Sequence, residues 1–154
     1  MNFVHLALLV SFGINISLVD MRIFKIRNRT LLFFLFNLIL FSLVTHTFSQ
    51  RFIAAFYIFI ICSLCFLLSS FWFEGSGIGF GDIKLIAIIF FGYLDPGLIS
   101  IGRFLLSLWS AMIFQILIHY FHKRKFPSHM AMAPSIFLAV ALYMYAPIGV
   151  LLPQ

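Results

Sequence analysis

The stretch FIAAFYIFIICSLCFLLSSFWF, residues 52–73, decides the fold, because its 22 consecutive residues include no charged side chain. A helix that crosses a bilayer needs about 17–25 mostly apolar residues, and shorter runs are more typical of soluble core helices. Lipid offers no hydrogen-bonding partner to the backbone, so a spanning segment must satisfy its own N–H and C=O groups. Residues 52–73 are therefore predicted to cross a membrane as a helix.

The composition of the whole chain extends this prediction. Its 154 residues are 64% hydrophobic and 9% charged, whereas an average soluble domain has roughly 45–50% apolar and about 25% charged residues. The short alternating segments of a membrane β-barrel are missing from the sequence. We therefore expect an all-α polytopic membrane protein in which residues 1–154 form a single membrane-embedded domain.

Six apolar runs predict about six transmembrane helices. In chain order they cover residues 2–19, 31–48, 52–73, 79–94, 98–120 and 134–152. The first run has no basic segment before it and no small-residue cleavage site after it, so we do not expect a signal peptide.

The basic residues predict how these helices are oriented. Eight of the ten Lys and Arg residues fall on one side of the six-helix arrangement, in or next to the connections after the first, third and fifth runs. They are Arg22, Lys25, Arg27, Arg29, Lys84, Lys123, Arg124 and Lys125. Cytoplasmic loops collect Lys and Arg, so these connections are predicted to be cytoplasmic and both termini periplasmic. The net charge of +6 thus reflects topology, and we expect the lipid bilayer, not nucleic acid, as a partner.

The four acidic residues, Asp20, Glu74, Asp82 and Asp95, are few enough for each to be informative. The predicted topology puts Asp20 at the cytoplasmic end of the first helix and Asp82 at the cytoplasmic start of the fourth. The two carboxylates therefore share one membrane depth and could meet. Simpler interpretations stay open: Asp20 could pair with Arg22 or Lys25 in a solvated loop, and Asp82 could stabilise the start of its helix.

The glycines and cysteines near the predicted membrane helices bear on which kind of functional site the chain could form. Glycine at positions 75, 77, 79 and 81 precedes Asp82 and would let a helix or a peptide approach closely. Cys62 and Cys65 form a single CxxC without the second ligand pair of a structural zinc site. We expect no metal and no cofactor.

Three segments resemble the type IV prepilin peptidases, a family of membrane aspartic proteases. Residues 79–85, GFGDIKL, resemble the family motif GxGDxKL. Residues 20–28, DMRIFKIRN, resemble D-x-R-x-x-x-I-P-N, although Arg27 stands where the family has proline. Residues 132–143, MAPSIFLAVALY, resemble P-F-L-A-x-G-A-L, with Val140 in place of a glycine. The resemblance extends over nearly the whole chain.

This resemblance implies specific roles for residues. Asp20 and Asp82 would form the catalytic pair, and the residues that shape the site would be Gly79, Gly81, Lys84, Arg22, Asn28 and Pro134. The substrates would be the basic leader peptides of prepilins or pseudopilins, cut at the cytoplasmic face of a bacterial inner membrane. Longer members carry an insert with two cysteine pairs and methylate the new N-terminus. The chain is therefore expected to be a short, peptidase-only form, as in tight-adherence (Flp) pilus systems.

Two other functions remain possible at this stage. Proline at position 27 would rigidify the exit from the first helix, so Arg27 leaves open an inactive relative that serves as an assembly factor of a pilus or secretion system. A small proton-coupled transporter could also use Asp20 and Asp82 as relay groups. Both acids are predicted at one membrane face, however, whereas transporter sites lie near mid-depth.

Overall fold

The computed structural model describes residues 3–45, 47–72, 79–95, 97–124 and 130–145, and the regular secondary structure in these ranges is helical. The six helices are α1 Phe3–Ile23, α2 Asn28–Val44, α3 Phe48–Trp72, α4 Phe80–Tyr93, α5 Leu98–Lys123 and α6 Ala133–Tyr145. The predicted all-α class is confirmed for these ranges. The predictions that concern Glu74 and the glycines at 75 and 77 lie outside the described residues.

Three of the helices are long and apolar enough to cross a membrane. They are α1, α3 over Phe48–Leu68, and α5 over Leu98–His122. By contrast, α4 has 14 residues, which at 1.5 Å each give a rise of about 21 Å, less than the roughly 30 Å of a bilayer's hydrocarbon core. The number of spans and the side on which each terminus lies stay predictions.

The helices form two compact units. We call α2, α3 and α4 the central unit, and α1, α5 and α6 the split unit, because α1 is separated from its partners along the chain. In the central unit, α4 packs against both α2 and α3. Leu85 and Ile89 of α4 are fully buried, as is Phe34 of α2. From Leu85 onward α4 is apolar on every side, and a helix of this kind is expected in such a buried position.

Two boundaries in the central unit differ from the predicted ones. The connection between α2 and α3 was expected after residue 48, but α2 ends at Val44 and α3 begins at Phe48. At this end of α2 the Thr45 hydroxyl donates to the Phe41 carbonyl oxygen at 3.1 Å and meets the Thr47 hydroxyl at 2.9 Å. Arg51, expected in the connection, lies in the first turn of α3 and donates from Nη1 to the Gly92 carbonyl oxygen, 2.5 Å away. The cation thus satisfies a carbonyl group at the C-terminal end of α4.

In the split unit, α6 packs against both α1 and α5. Ile16 of α1, Phe104 of α5 and Ile136 of α6 are buried in it. The hydroxyl groups of Ser100 and Tyr143 lie 2.6 Å apart and link α5 to α6. A Cβ atom placed on Gly13 would lie 2.9 Å from the ring of Phe137, so the missing side chain lets α1 approach α6.

Gly92 offers a test of packing in the central unit. A Cβ atom there would lie 2.8 Å from Leu38 Cδ1, whereas one on Gly102 of α5 would meet nothing within 4 Å. Gly92→Leu should therefore lower stability by about 1–3 kcal/mol through overpacking. Gly102→Leu is the matched control, since both changes bring the same gain in helix propensity. Thermal unfolding in detergent should show a lower melting temperature for Gly92→Leu alone, and equal values for the two variants would contradict the packing described.

Candidate active site

Asp20 is a buried carboxylate held by the start of another helix. It lies in the last turn of α1 and only 4% of its surface is exposed. Its Oδ2 accepts a hydrogen bond from the N–H of Ala133, the first residue of α6, at 3.0 Å. The N-terminal end of a helix carries partial positive charge. The start of α6 therefore stabilises the Asp20 carboxylate, which the partial negative charge at the C-terminal end of α1 disfavours. Asp20 is therefore not a solvated loop residue.

A polar network between α5 and α6 holds the backbone that serves Asp20. Gln115 of α5 donates from Nε2 to the Ala131 carbonyl oxygen at 3.1 Å. The hydroxyl of Ser135 donates to Gln115 Oε1. Both contacts flank Ala133, so Gln115 and Ser135 set the direction of its N–H. Neither residue was predicted as part of the site, and the available signal was a single amide within an apolar helix.

Asp82 lies in the first turn of α4 and closes that helix start. Its Oδ2 accepts from the backbone N–H of Gly79 at 3.1 Å, while its own N–H donates to the Gly79 carbonyl oxygen at 2.9 Å. A Cβ atom on Gly79 would lie 2.8 Å from Oδ2, so glycine is needed for the carboxylate to fold back. Stabilisation of a helix start by a carboxylate is therefore one role of Asp82.

Two of the three segments that resemble the family motifs contact each other in the central unit. A Cβ atom on Gly81 would lie 3.3 Å from Ile26 Cβ, so Gly81 permits close approach of the chain before α2. Lys84 Nζ donates to Asn28 Oδ1 at 3.2 Å and lies 4.8 Å from the centre of the Phe80 ring. The Asn28 amide and the Phe80 ring together hold the ammonium group of Lys84. This contact places Lys84 and Asn28 side by side.

The remaining predicted residues lie in the split unit. The side chain of Arg22 is exposed in the last turn of α1. Pro134 is the second residue of α6. The first N–H groups of a helix have no partner within it, so proline costs no helical hydrogen bond at this position. Pro134 lines a cleft of about 440 Å³ between α1 and α6, together with Gly13, Ser17 and Met21. The cleft therefore extends along α1 to the turn that carries Asp20.

The structure thus brings Asp20 to the third segment and Asn28 to the second. Asp20 belongs to the split unit and Asp82 to the central unit, so the pairing of these two carboxylates stays a prediction. Within the described residues, no group of three or more His, Cys, Asp or Glu side chains is arranged to hold a metal ion.

Arg27 occupies a backbone position that would suit proline. It precedes α2 with φ −73° and ψ 125°, and proline fixes φ near −65 ± 15°. The departure from the family pattern therefore changes the side chain but keeps the backbone geometry of the exit from α1.

Comparison of the chain with protein-family models, with curated proteins and with solved structures finds no match. The resemblance to prepilin peptidases stays a prediction from the three segments and the residues that match in them.

Arg27→Pro tests the backbone interpretation. Proline should be accepted, and it should raise the free energy of unfolding by about 0.4–1 kcal/mol, because it restricts the unfolded chain at a compatible position. Arg27→Gln removes the same charge without the ring and is the control. Thermal unfolding in detergent should rank the proline variant above the glutamine variant, and the reverse order would show that position 27 does not favour proline.

Proposed function

We propose that this chain is a membrane aspartic endopeptidase of the prepilin peptidase type. It would be a multi-pass protein of a bacterial cytoplasmic membrane and would cleave the leaders of prepilins or pseudopilins at the cytoplasmic face. The observation that carries this proposal is that the first of the three segments contacts the second in the central unit and the third in the split unit. Asp20 accepts from Ala133 in the third segment, and Asn28 binds Lys84 in the second.

The proposed chemistry needs only the two carboxyl groups and water. Two carboxylates that lie close together do not both ionise easily, so the pair shares one proton. The charged member takes a proton from water, and the resulting hydroxide attacks the carbonyl carbon of the peptide bond. The protonated member donates to the carbonyl oxygen, and a proton then passes to the leaving amine as the C–N bond breaks. The shared proton belongs to the pair, so neither aspartate is assigned to one role.

The burial of Asp20 supports a role in this chemistry. An ionisable residue within a membrane helix costs free energy, so its presence there indicates a function. Asp20 has only 4% of its surface exposed, and its contact with the Ala133 N–H leaves the second carboxyl oxygen outside that hydrogen bond. A carboxyl group held in this way is preorganised, because its orientation does not depend on the substrate.

The cleft between α1 and α6 is the proposed entry for the apolar segment that follows the cut. It has a volume of about 440 Å³, and Leu9, Ile14 and Phe137 are among its apolar walls. Because it extends to Met21 and Pro134, beside Asp20 and its partner Ala133, an apolar segment in the cleft would present its N-terminal end to the carboxyl group. Methyl transfer is not part of the proposal.

Asparagine variants separate catalysis from structure. The amide oxygen of asparagine can still accept from Ala133 or from Gly79, but it cannot carry the shared proton or a negative charge. Asp20→Asn and Asp82→Asn should each lower leader cleavage by a factor of about 10³ or more, as loss of an essential proton-transfer group does, while the protein stays folded. Cleavage is followed on a gel after co-expression with prepilins whose leaders are short and basic and end at glycine.

Asp95→Asn is the matched control, because Asp95 is an exposed carboxylate in the connection after α4. The Asp95→Asn variant should cleave leader peptides to the same extent as the unchanged chain. Full processing by either Asp20→Asn or Asp82→Asn would show that the catalytic pair is assigned wrongly. A wild-type chain that processes no prepilin would favour the inactive assembly factor.

Cysteine cross-linking tests whether the two aspartates meet. In a chain with Cys62→Ala and Cys65→Ala, the variants Asp20→Cys and Asp82→Cys should join through a disulfide on mild oxidation, since bridged cysteines have Cβ atoms about 3.5–4.5 Å apart. Mass spectrometry of the digested protein identifies the link. The pair Asp20→Cys and Asp95→Cys, predicted at opposite membrane faces, should not link, and equal yields from both pairs would contradict the shared depth.

A further inference from the structure

A second cleft, in the central unit, has one polar end and apolar walls. It has a volume of about 480 Å³ and lies between α2, α3 and α4. Among the residues that the structure describes, Asn28 and Lys84 are the only polar or charged ones that line it. The rest of the described lining is aliphatic or aromatic: Leu31, Leu32, Leu35, Ile39, Phe52, Ala55, Phe56, Phe59, Ala87, Ile88 and Phe91. The cleft therefore suits an amphiphile with one polar end and a long apolar part.

The polar end of this cleft is basic. The Lys84 ammonium group is anchored by Asn28 at 3.2 Å, and Asn28 is flanked in the chain by Arg27 and Arg29, whose side chains are exposed. Lys25 adds a further exposed cation to the same connection. The nearest acid in sequence, Asp82, accepts from the N–H of Gly79 at the start of α4. The four basic residues outnumber this acid, so an anionic group would be attracted to the Lys84 end.

The apolar part of the cleft is open at its side. Leu32, Phe52 and Phe56 keep 65%, 52% and 54% of their surfaces exposed, so a molecule could enter from the surrounding lipid. The walls follow α2 from residue 28 to residue 39, a rise of about 16 Å. An acyl chain about 16 Å long would lie along these apolar walls, with its polar end at Asn28 and Lys84.

From the charge and the shape of this cleft, we propose that it binds an anionic phospholipid, with the phosphate at Lys84 and one acyl chain between α2, α3 and α4. Basic pockets between membrane helices on the cytoplasmic side have this chemistry. The proposal does not depend on peptidase activity. It also gives the basic connection before α2 a counter-charge, which a basic leader peptide would not.

The test measures lipid binding by native mass spectrometry of the full chain, purified in detergent and titrated with phosphatidylglycerol or phosphatidylcholine. The unchanged chain should bind one phosphatidylglycerol at least about fivefold more tightly than phosphatidylcholine, because one basic residue near a membrane surface attracts anionic lipid by about that factor. Lys84→Gln should remove the preference and leave phosphatidylcholine binding unaltered. Arg124→Gln, an exposed cation at the end of α5, removes the same charge and should keep the preference.

A second pair of variants tests the acyl-chain part of the cleft. Ala87→Phe should fill it and weaken both lipids at least about fivefold, and Ala55→Leu on the opposite wall should act in the same direction if Ala87→Phe fails to fold. Ala7→Phe places the same ring on an exposed face of α1 and should change neither lipid. Circular dichroism checks that each variant is helical.

Several results would overturn the proposal. Equal affinity for the two lipids in the unchanged chain would exclude a headgroup site, and an equal loss in Arg124→Gln would show attraction by net charge alone. Competition by glycerol phosphate as effective as that by phosphatidylglycerol would show that the acyl chain contributes nothing. An uncharged apolar helical peptide that binds, is blocked by Ala87→Phe and is not displaced by phosphatidylglycerol would assign the cleft to a protein segment.

Discussion

The hydrogen bond from the Ala133 N–H to the Asp20 carboxylate is the interaction on which the split unit depends. A carboxylate taken out of water costs several kcal/mol unless fixed dipoles replace its hydration. Here the replacement comes from the first N–H of α6, at 3.0 Å, and the polar contacts of Gln115 hold the residues on either side. The position of α6 against α1 is thus tied to the same group that the proposed chemistry needs.

In the central unit, close packing around α4 depends on three glycines. Gly79 lets Asp82 fold back onto the start of α4, Gly81 lets Ile26 approach that helix, and Gly92 lets Leu38 pack against it. In each case a Cβ atom would lie within 3.3 Å of the partner, closer than carbon atoms pack in a relaxed core. The short α4 can therefore be enclosed by its neighbours, and one glycine-rich segment serves both packing and the placement of a carboxylate.

The structural role of Asp82 and its proposed catalytic role are compatible. The hydrogen bond from the Gly79 N–H involves Oδ2 of Asp82, and a carboxyl oxygen that accepts one hydrogen bond keeps further acceptor capacity. The same holds for Asp20, whose Oδ2 accepts from Ala133. Each contact orients its carboxyl group, and under the proposed function this orientation would precede substrate binding, a preorganisation that contributes strongly to catalysis in general. Arg27, with φ −73°, keeps the exit from α1 in a geometry that proline would also adopt.

The sequence by itself determined the all-α class, the apolar helices and the unusual positions of two acids, because uncharged runs and isolated charges in lipid have few solutions. It also marked Asn28, Gly81 and Lys84, although it did not show that they contact each other. Only the tertiary structure decided that Asp20 is buried and that α6 supplies its partner, since a hydrogen bond across 113 residues of chain has no local signal. Gln115, Ser135 and the cleft at Lys84 were missed for the same reason: their partners lie on other helices, and helix packing, not periodicity, brings them together.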